Sequence, residues 1–118
     1  MDVKALLAEL QAVPEGTFLN VLPFNGHAIG ACRITGVSPV WEMHPDTDEF
    51  FYILEGTFEL TLLTEEGSEF HSAAAGSALV VPRGLWHRPG APQGAQFLYF
   101  TPGQSLHSEA ADPRLATP

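Results

Sequence analysis

The chain has 118 residues, of which 45% are hydrophobic and 16% are charged. This length and composition are typical of one globular domain with a hydrophobic core, and they exclude a disordered chain. Fourteen acidic residues against five basic ones give a formal charge of −9, which repels nucleic-acid phosphates, so no nucleic-acid partner is expected. No apolar run reaches the roughly 18 residues that cross a bilayer, so no membrane partner is expected either.

Residues 1–15 are predicted to form a short amphipathic helix that packs on the rest of the domain. Apolar residues recur there with helical spacing, at Val3, Leu6, Leu7, Leu10 and Val13. Asp2 is a candidate N-cap, and Pro14 with Gly16 is expected to end the helix.

Residues 16–102 are predicted to form an all-β sandwich or barrel. Short β-type runs separated by Gly, Pro and Asn follow one another at 17–22, 27–35, 39–44, 49–54, 57–64, 69–73, 78–81, 86–88 and 96–101. Only the first helix interrupts them, which excludes a parallel βαβ architecture. Residues 103–118 are polar and contain prolines, so we expect an extended C-terminal tail or a segment that wraps a neighbouring molecule.

Two features bear on the compartment in which the protein works. The chain starts without a basic segment followed by an apolar run, so we expect a cytoplasmic protein. Cys32 is the single cysteine, which excludes an internal disulfide and a thiolate-rich zinc site. Its flanks have the pattern of a strand, and we interpret it as a small buried side chain.

One predicted strand is apolar on both of its faces, which bears on the oligomeric state. Alternation gives one face Glu49, Phe51 and Ile53 and the other face Phe50, Tyr52 and Leu54. A strand with two apolar faces has to be covered twice. We expect the barrel interior to cover one face and a second copy of the chain to cover the other, which predicts a homodimer.

The residues with the most chemical content lie in two short segments, 41–49 and 82–87. The first contains Glu42, His44 and Glu49, and the second contains His87. Glu42 and His44 are two residues apart on one predicted strand, so their side chains point to the same face. If the fold brings the two segments together, two imidazoles and two carboxylates form the outline of a metal site.

The spacing of the first segment resembles the first motif of the cupin family. His44 is followed after four residues by Glu49 and after six more by Gly56, as in the latter part of that motif. The full motif begins with a further histidine two positions before His44. Glu42 occupies that position here, so the chain departs from the family's pattern at one predicted metal ligand.

The second segment resembles the second cupin motif. Gly76, Pro82, Gly84 and His87 have the spacing of that motif, and Ala91 stands where the motif ends with asparagine. Together the two motifs identify the chain as similar to a small single-domain cupin. This resemblance implies a jelly-roll β-barrel whose mouth holds His44, Glu49 and His87 around a metal ion, with Glu42 beside His44.

The role of Glu42 is left open between three alternatives. As a ligand it completes an N2O2 set that accepts a divalent ion such as Fe, Mn, Ni or Zn. As a free carboxylate beside the metal it is a candidate catalytic general base. As a residue at a strand end it faces solvent and has no role. The whole polar cluster has a further alternative, because His and Glu can satisfy each other by hydrogen bonds without a metal.

Other polar residues are weaker candidates for the site. His27, His71 and His107 lack a paired ligand at a metal-binding spacing, so surface or core roles are expected for them. Asp46 and Asp48 lie in the predicted loop beside the site, where carboxylates are usually only solvated. Two further residues, Arg83 and Arg88, flank His87 and are candidates for attracting a carboxylate or phosphate on a ligand.

The barrel interior is expected to form a mostly apolar pocket for a small organic ligand. Its predicted walls are Phe51, Ile53, Phe58, Leu60, Leu62, Leu98 and Phe100, with Met43 and Trp86 near the mouth. Such a pocket beside a metal predicts a metal-dependent enzyme, of the dioxygenase or the isomerase or lyase type. The alternative is a non-catalytic module that binds or senses a small molecule, and an empty site favours a storage or structural role.

Overall fold

The computed structural model describes residues 1–115, which form one short α-helix, eight strands and a final 3₁₀ turn. These elements are α1 (Leu6–Gln11), β1 (Leu19–Phe24), β2 (His27–Val37), β3 (Trp41–Met43), β4 (Glu49–Thr64), β5 (Gly67–Ala74), β6 (Ala78–Val81), β7 (His87–Phe100), β8 (Leu106–Ser108) and η1 (Pro113–Leu115). In this part of the chain, neither helical element has the length and apolar character needed to cross a membrane.

All strand pairs are antiparallel, and the sheet curls on itself into a jelly-roll barrel. Along one path the strand order is β1-β2-β7-β3-β8, while β4 pairs with β5, β6 and β7. The long strands β4 and β7 therefore link the two parts of the barrel. The predicted all-β jelly-roll class is confirmed.

The long strand β4 joins two segments that the sequence predicts as separate strands. Gly56, which lies between these two predicted strands, is at an irregularity of the β4–β7 ladder and has φ of 78°. A Cβ atom on Gly56 would lie 2.2 Å from the carbonyl oxygen of Gly94 on β7. Glycine at this position thus lets the strand bend while the two backbones approach closely.

The side chains at the end of β7 point in the opposite directions to those predicted. Register pairs Phe51 with Tyr99 and Ile53 with Phe97, and these side chains face the interior. Leu98 packs instead on the outer face. The prediction that Leu98 and Phe100 line the interior is wrong. Residues directly opposite each other in a ladder share a face, and the partners of Leu98 and Phe100 are Tyr52 and Phe50, which point outward.

The core has two parts, one inside the barrel and one under the helix. The inner part is built from Cys32, Phe51, Ile53, Phe58, Leu60, Leu62, Val81, Ala91, Ala95 and Phe97. On the outer face Leu10 of α1 is fully buried with Val21 and Ala31, and Leu6 and Leu54 pack against them.

The helix is shorter than predicted, and its N-cap is Ala5 without a side-chain cap. The prediction that Asp2 caps it is wrong, because the helix begins several residues later.

The segment after residue 102 contributes to the sheet as far as the structure describes it. Strand β8 pairs with β3, with Trp41 opposite Ser108, Glu42 opposite His107 and Met43 opposite Leu106. Residues 106–108 therefore lie on the barrel, next to the strand that contributes Glu42. Residues 116–118 of the expected tail lie outside the described residues.

Candidate metal centre

Four side chains converge at the barrel mouth, and they are the four that the sequence singled out. Each of Glu42, His44, Glu49 and His87 offers one ligand atom, and these four atoms lie within 4.8 Å of one another. The Nε2 atom of His87 is 3.3 Å from Oε1 of Glu42 and 3.0 Å from Oε1 of Glu49. The Nε2 atom of His44 is 3.2 Å from each of the same two oxygens.

The ends of three strands position these side chains. Glu42 lies on β3 and His44 directly follows that strand, while Glu49 and His87 are the first residues of β4 and β7. Glu42 and His87 are also direct partners across the β3–β7 ladder. Only 26% of the Glu42 side chain is exposed, and the other three residues are buried. The strand ends thus gather the polar atoms in a largely water-excluded position.

Backbone carbonyl groups fix the orientation of both imidazoles. The Nδ1 atom of His87 lies 3.2 Å from the carbonyl oxygen of Leu85, and Nδ1 of His44 lies 3.2 Å from that of Gln104. Because a carbonyl oxygen only accepts, each Nδ1 carries the proton. In the neutral imidazoles the Nε2 lone pairs then point at the carboxylate oxygens. A cation or extra protons must lie between these acceptors.

The pKa values reflect the same convergence of charge. Burial alone would lower the pKa of both histidines, but the hydrogen bonds that they donate to Glu42 and Glu49 raise it to about 10 for His44 and about 9 for His87. Burial would raise the pKa of Glu42 and Glu49, but the two histidines lower both below the ordinary value of 4.5. Without a metal ion, protons on the imidazoles therefore balance the two carboxylates.

Residues near the end of the described chain complete the surroundings of the cluster. Thr101 donates a hydrogen bond to Oε2 of Glu49. His107, expected to have a surface or core role, places Nε2 3.1 Å from Oε2 of Glu42. The Ser105 hydroxyl lies 3.0 Å from Nδ1 of His44. Ser105 and His107 are two residues apart, a spacing that puts side chains on the same side of an extended segment, and this spacing is the sequence signal for them.

The other predicted polar residues lie outside the cluster. Asp46 accepts a hydrogen bond from the backbone N–H of Gln104 at 2.9 Å, and Asp48 pairs with Arg83 at 3.2 Å between Oδ1 and Nε. Arg88 stacks its guanidinium on Trp41, 4.4 Å from the ring centroid. Neither arginine lines the cavity, so the expectation that they attract an anionic ligand there finds no support. The remaining histidine pair, His71 with Glu69, is exposed.

The cluster opens into a cavity of about 560 Å³. Besides the cluster residues Glu42, His44 and Glu49, the cavity is lined by Phe18, Ser38, Val40, Phe51, Pro89, Phe97, Tyr99, Thr101, Ser105 and His107. This volume lies within the range of about 300–1,000 Å³ that small-molecule sites occupy. The cavity therefore combines mostly apolar walls with one polar cluster at its edge.

The sequence model of the family described as Cupin domain matches residues 34–101, which is more than half of the chain. The chain belongs to the cupin family. In this cupin the matched segment includes all four residues of the cluster and excludes β8 with His107.

One curated relative and two solved structures illustrate the range of similar proteins. This cupin is 34% identical over 64 residues to the uncharacterized protein YdbB of Bacillus subtilis (strain 168), an alignment that covers 54% of this chain and 53% of that protein. The chain thus matches about half the length of this relative. A cupin-2 domain protein from Shewanella frigidimarina NCIMB 400 superposes with a TM-score of 0.73 and 24% identity, covering 85% of this chain and 94% of the other.

The second structure is an enzyme. Hydroquinone 1,2-dioxygenase from Sphingomonas sp. TTNP3, with 4-hydroxybenzoate bound, superposes with a TM-score of 0.68 and 19% identity, covering 80% of this chain and 70% of the other. At these identities the two solved structures support the fold of the cupin described here.

Proposed function

We propose that this cupin is a metal-dependent enzyme that acts on a small organic molecule in the cavity. The observation that carries the proposal is the meeting of two Nε2 atoms and two carboxylate oxygens at the edge of that cavity. Buried acceptors that face one another are unfavourable without a cation between them. The proposed ligands are Glu42, His44, Glu49 and His87.

The donor set fits a divalent transition metal. Two imidazole nitrogens and two carboxylate oxygens suit Fe, Mn, Ni or Zn, and they leave the choice among these open. When bound, such an ion supplies a Lewis acid or, for iron, redox chemistry of the dioxygenase type. The alternative within the same proposal is an isomerase or lyase, which uses only the Lewis acid.

The residues around the cluster hold the proposed ligands in place. The carbonyl groups of Leu85 and Gln104 fix the two imidazoles, and Thr101 fixes Glu49. Partners of this kind typically change metal affinity by about 10- to 100-fold when removed. Glu42 is the most exposed of the four side chains, which supports a role as ligand or as a general base that faces the bound molecule.

Metal analysis tests the proposed ligands. His87→Ala should abolish most metal uptake, because it removes a buried imidazole from the centre of the cluster. His71→Ala is the matched control, since His71 is an exposed histidine that pairs with Glu69 at a similar distance of 3.1 Å. The measurement is elemental analysis after purification without chelators and after reloading. Equal metal content in both variants would place any metal elsewhere.

Turnover is the test that separates an enzyme from a binding module. The iron-loaded protein is incubated with an aromatic diol, a thiol or a diketone, and oxygen consumption is recorded. Uptake that His87→Ala abolishes and His71→Ala retains supports a dioxygenase. Metal-dependent conversion without oxygen uptake supports the isomerase or lyase type. Ligand binding without any conversion contradicts the enzyme proposal and favours a sensing module.

We further propose a homodimer that uses the outer face of the barrel. Phe24, Phe50, Tyr52, Val80 and Phe100 form what we call the outer patch. Tyr52 is 37% exposed and Val80 is 58% exposed, and the helix covers only the neighbouring part of this face. Contiguous apolar side chains of this kind are typical of interfaces.

The cytoplasmic location stays a prediction from the sequence.

A further inference from the structure

Aromatic rings form a continuous wall of the cavity from its mouth to its buried end. Phe18 is 70% exposed at the mouth and meets Tyr99 edge to face, with ring centroids 5.9 Å apart. Tyr99 is 6.3 Å from Phe97, and Phe97 is 5.5 Å from Phe51, centroid to centroid. Phe51 and Phe97 are both buried. Each spacing lies within the favourable range for aromatic contact, so a further ring is well accommodated against this wall.

The position of the Tyr99 ring depends on Gly30, its partner across the β2–β7 ladder. A Cβ atom at Gly30 would lie 2.2 Å from Cζ and 2.5 Å from the hydroxyl oxygen of Tyr99. Gly30 has no positive φ, unlike most glycines of this chain. Its missing side chain is therefore required by the aromatic ring and not by the backbone, which makes Gly30 a determinant of the cavity shape.

The cavity walls offer no lysine or arginine side chain to an anionic ligand. Two carboxylates balance a divalent ion, so the loaded cluster is formally neutral. None of the five lysine and arginine residues, all of which lie within the described part of the chain, lines the cavity. His107 at the mouth is already paired with Glu42. An anion entering here meets a cluster whose two carboxylates already balance the ion, and it gains no lysine or arginine partner for its lost hydration. The net charge of −9 also opposes its approach.

We infer that the cavity takes a neutral aromatic molecule with a hydroxyl group and discriminates against carboxylates of the same size. The ring packs on Tyr99 and Phe97, and the hydroxyl group lies toward the Glu and His cluster, where carboxylates accept its hydrogen bond. This inference rests on the proposed function, since it names the substrate class of the same site. It adds Gly30 and Tyr99 as residues that determine specificity.

Three probes of similar size test the inference: phenol, benzoate and cyclohexanol. Their binding to the zinc-loaded protein is measured by titration calorimetry, since zinc leaves the probes chemically unchanged. Phenol should bind about tenfold or more tightly than benzoate, because the carboxylate loses hydration beside a formally neutral cluster with no lysine or arginine in the cavity walls. It should bind about threefold to tenfold more tightly than cyclohexanol, because only an aromatic ring gains the contacts with the wall. Equal or tighter binding of benzoate would overturn the inference.

Substitutions in the wall test its two specificity residues. Tyr99→Leu should remove the preference for phenol over cyclohexanol without changing the zinc content, and Phe70→Leu, an exposed residue outside the cavity, should keep the preference. Gly30→Ala should reduce phenol affinity by displacing the ring. If this variant fails to fold, Gly30→Ala combined with Tyr99→Leu should restore folding, since the clashing atoms are gone. An unchanged preference in Tyr99→Leu would refute the role of the wall.

Metal-free protein distinguishes a failure of this inference from a failure of the proposed function. If the protein binds no metal but prefers phenol to cyclohexanol, the aromatic wall stands and the metal proposal falls. If it binds metal but shows no preference among the probes, the substrate class is wrong and the metal centre stands. Zinc titration and probe titration are therefore recorded separately on the same samples.

Discussion

Among single residues, Glu42 is distinguished because its two oxygen atoms have different partners. Its Oε1 atom faces Nε2 of His44 and His87, and its Oε2 atom accepts a hydrogen bond from His107. The first set of contacts suits a metal ligand, and the second holds the carboxylate in one orientation. A carboxylate at this position, in place of a neutral imidazole, also lowers the net charge of the metal-loaded site by one unit.

Substitution of Glu42 separates its two proposed roles. If Glu42 is a ligand, Glu42→Gln should weaken metal affinity, because a neutral amide oxygen is a poorer ligand, and Glu42→His should restore binding with a changed preference among divalent ions. If it is a general base, both variants should keep the metal and lose turnover. Metal titration is the measurement, with Glu69→Gln as a control on the exposed pair. Wild-type affinity in both variants would refute ligation.

The raised histidine pKa values predict how the stability of the metal-free protein depends on pH. The contribution of His44 and His87 is complete below their ordinary pKa of 6.5 and is lost as pH rises through about 9 to 10. The lowered pKa values of Glu42 and Glu49 contribute stability above 4.5 that is lost as pH falls. We therefore expect the highest Tm between about pH 4.5 and pH 6.5.

Bound metal should remove the alkaline loss, because the ion replaces the protons on both Nε2 atoms. Thermal unfolding of chelator-treated and zinc-loaded protein across this pH range checks the prediction. A metal-free protein with equal Tm at about pH 6 and about pH 9 would contradict it.

Among the elements, the segment 103–108 connects the end of the described chain to the candidate metal centre. The backbone N–H of Gln104 donates to Asp46, and the carbonyl group of the same residue accepts from Nδ1 of His44. Gly103 lies so close to this loop that a Cβ atom would be 2.2 Å from Oδ1 of Asp46. We therefore propose that Asp46 is a positioning residue, which holds the segment that orients His44.

Loss of the Asp46 carboxylate should loosen this segment and with it His44. Asp46→Ala is expected to lower metal affinity by about tenfold, at the lower end of the range for groups that orient a ligand. Asp48→Ala is the control from the same loop, since Asp48 pairs with Arg83 outside the cluster. The Kd for zinc is measured by competition with a chromophoric chelator. Equal affinity in the two variants would show that Asp46 has no positioning role.

At the scale of the whole molecule, the proposed homodimer depends on the outer patch. Tyr52→Glu should convert the proposed homodimer into a monomer, because it places a charge within an apolar interface. Phe70→Glu is the control, since it changes an exposed aromatic residue on β5, outside the patch. Leu54 is left unchanged, because it packs under the helix. Mass measurement in solution over micromolar concentrations checks the prediction, and a monomeric wild type would disprove it.

The sequence by itself determined the features that depend on local spacing. Alternation placed Glu42 beside His44 and separated Phe51 from Phe50, and both assignments agree with the structure. The two motifs also identified His87 as the fourth member of the cluster. A strand has a period of two residues, so any pattern confined to one regular strand can be interpreted without knowing its partners.

Only the tertiary structure decided the features that depend on pairing between distant segments. Pairing of Tyr99 with Phe51 and of Leu98 with Tyr52 turns Tyr99 inward and Leu98 outward, and the local sequence of β7 does not show which residues of β4 it will face. The return of β8 to β3 brings His107 to Glu42, 65 positions earlier in the chain. Such a contact depends on how the whole barrel closes, since loop closure and packing decide it and the spacing of nearby residues does not.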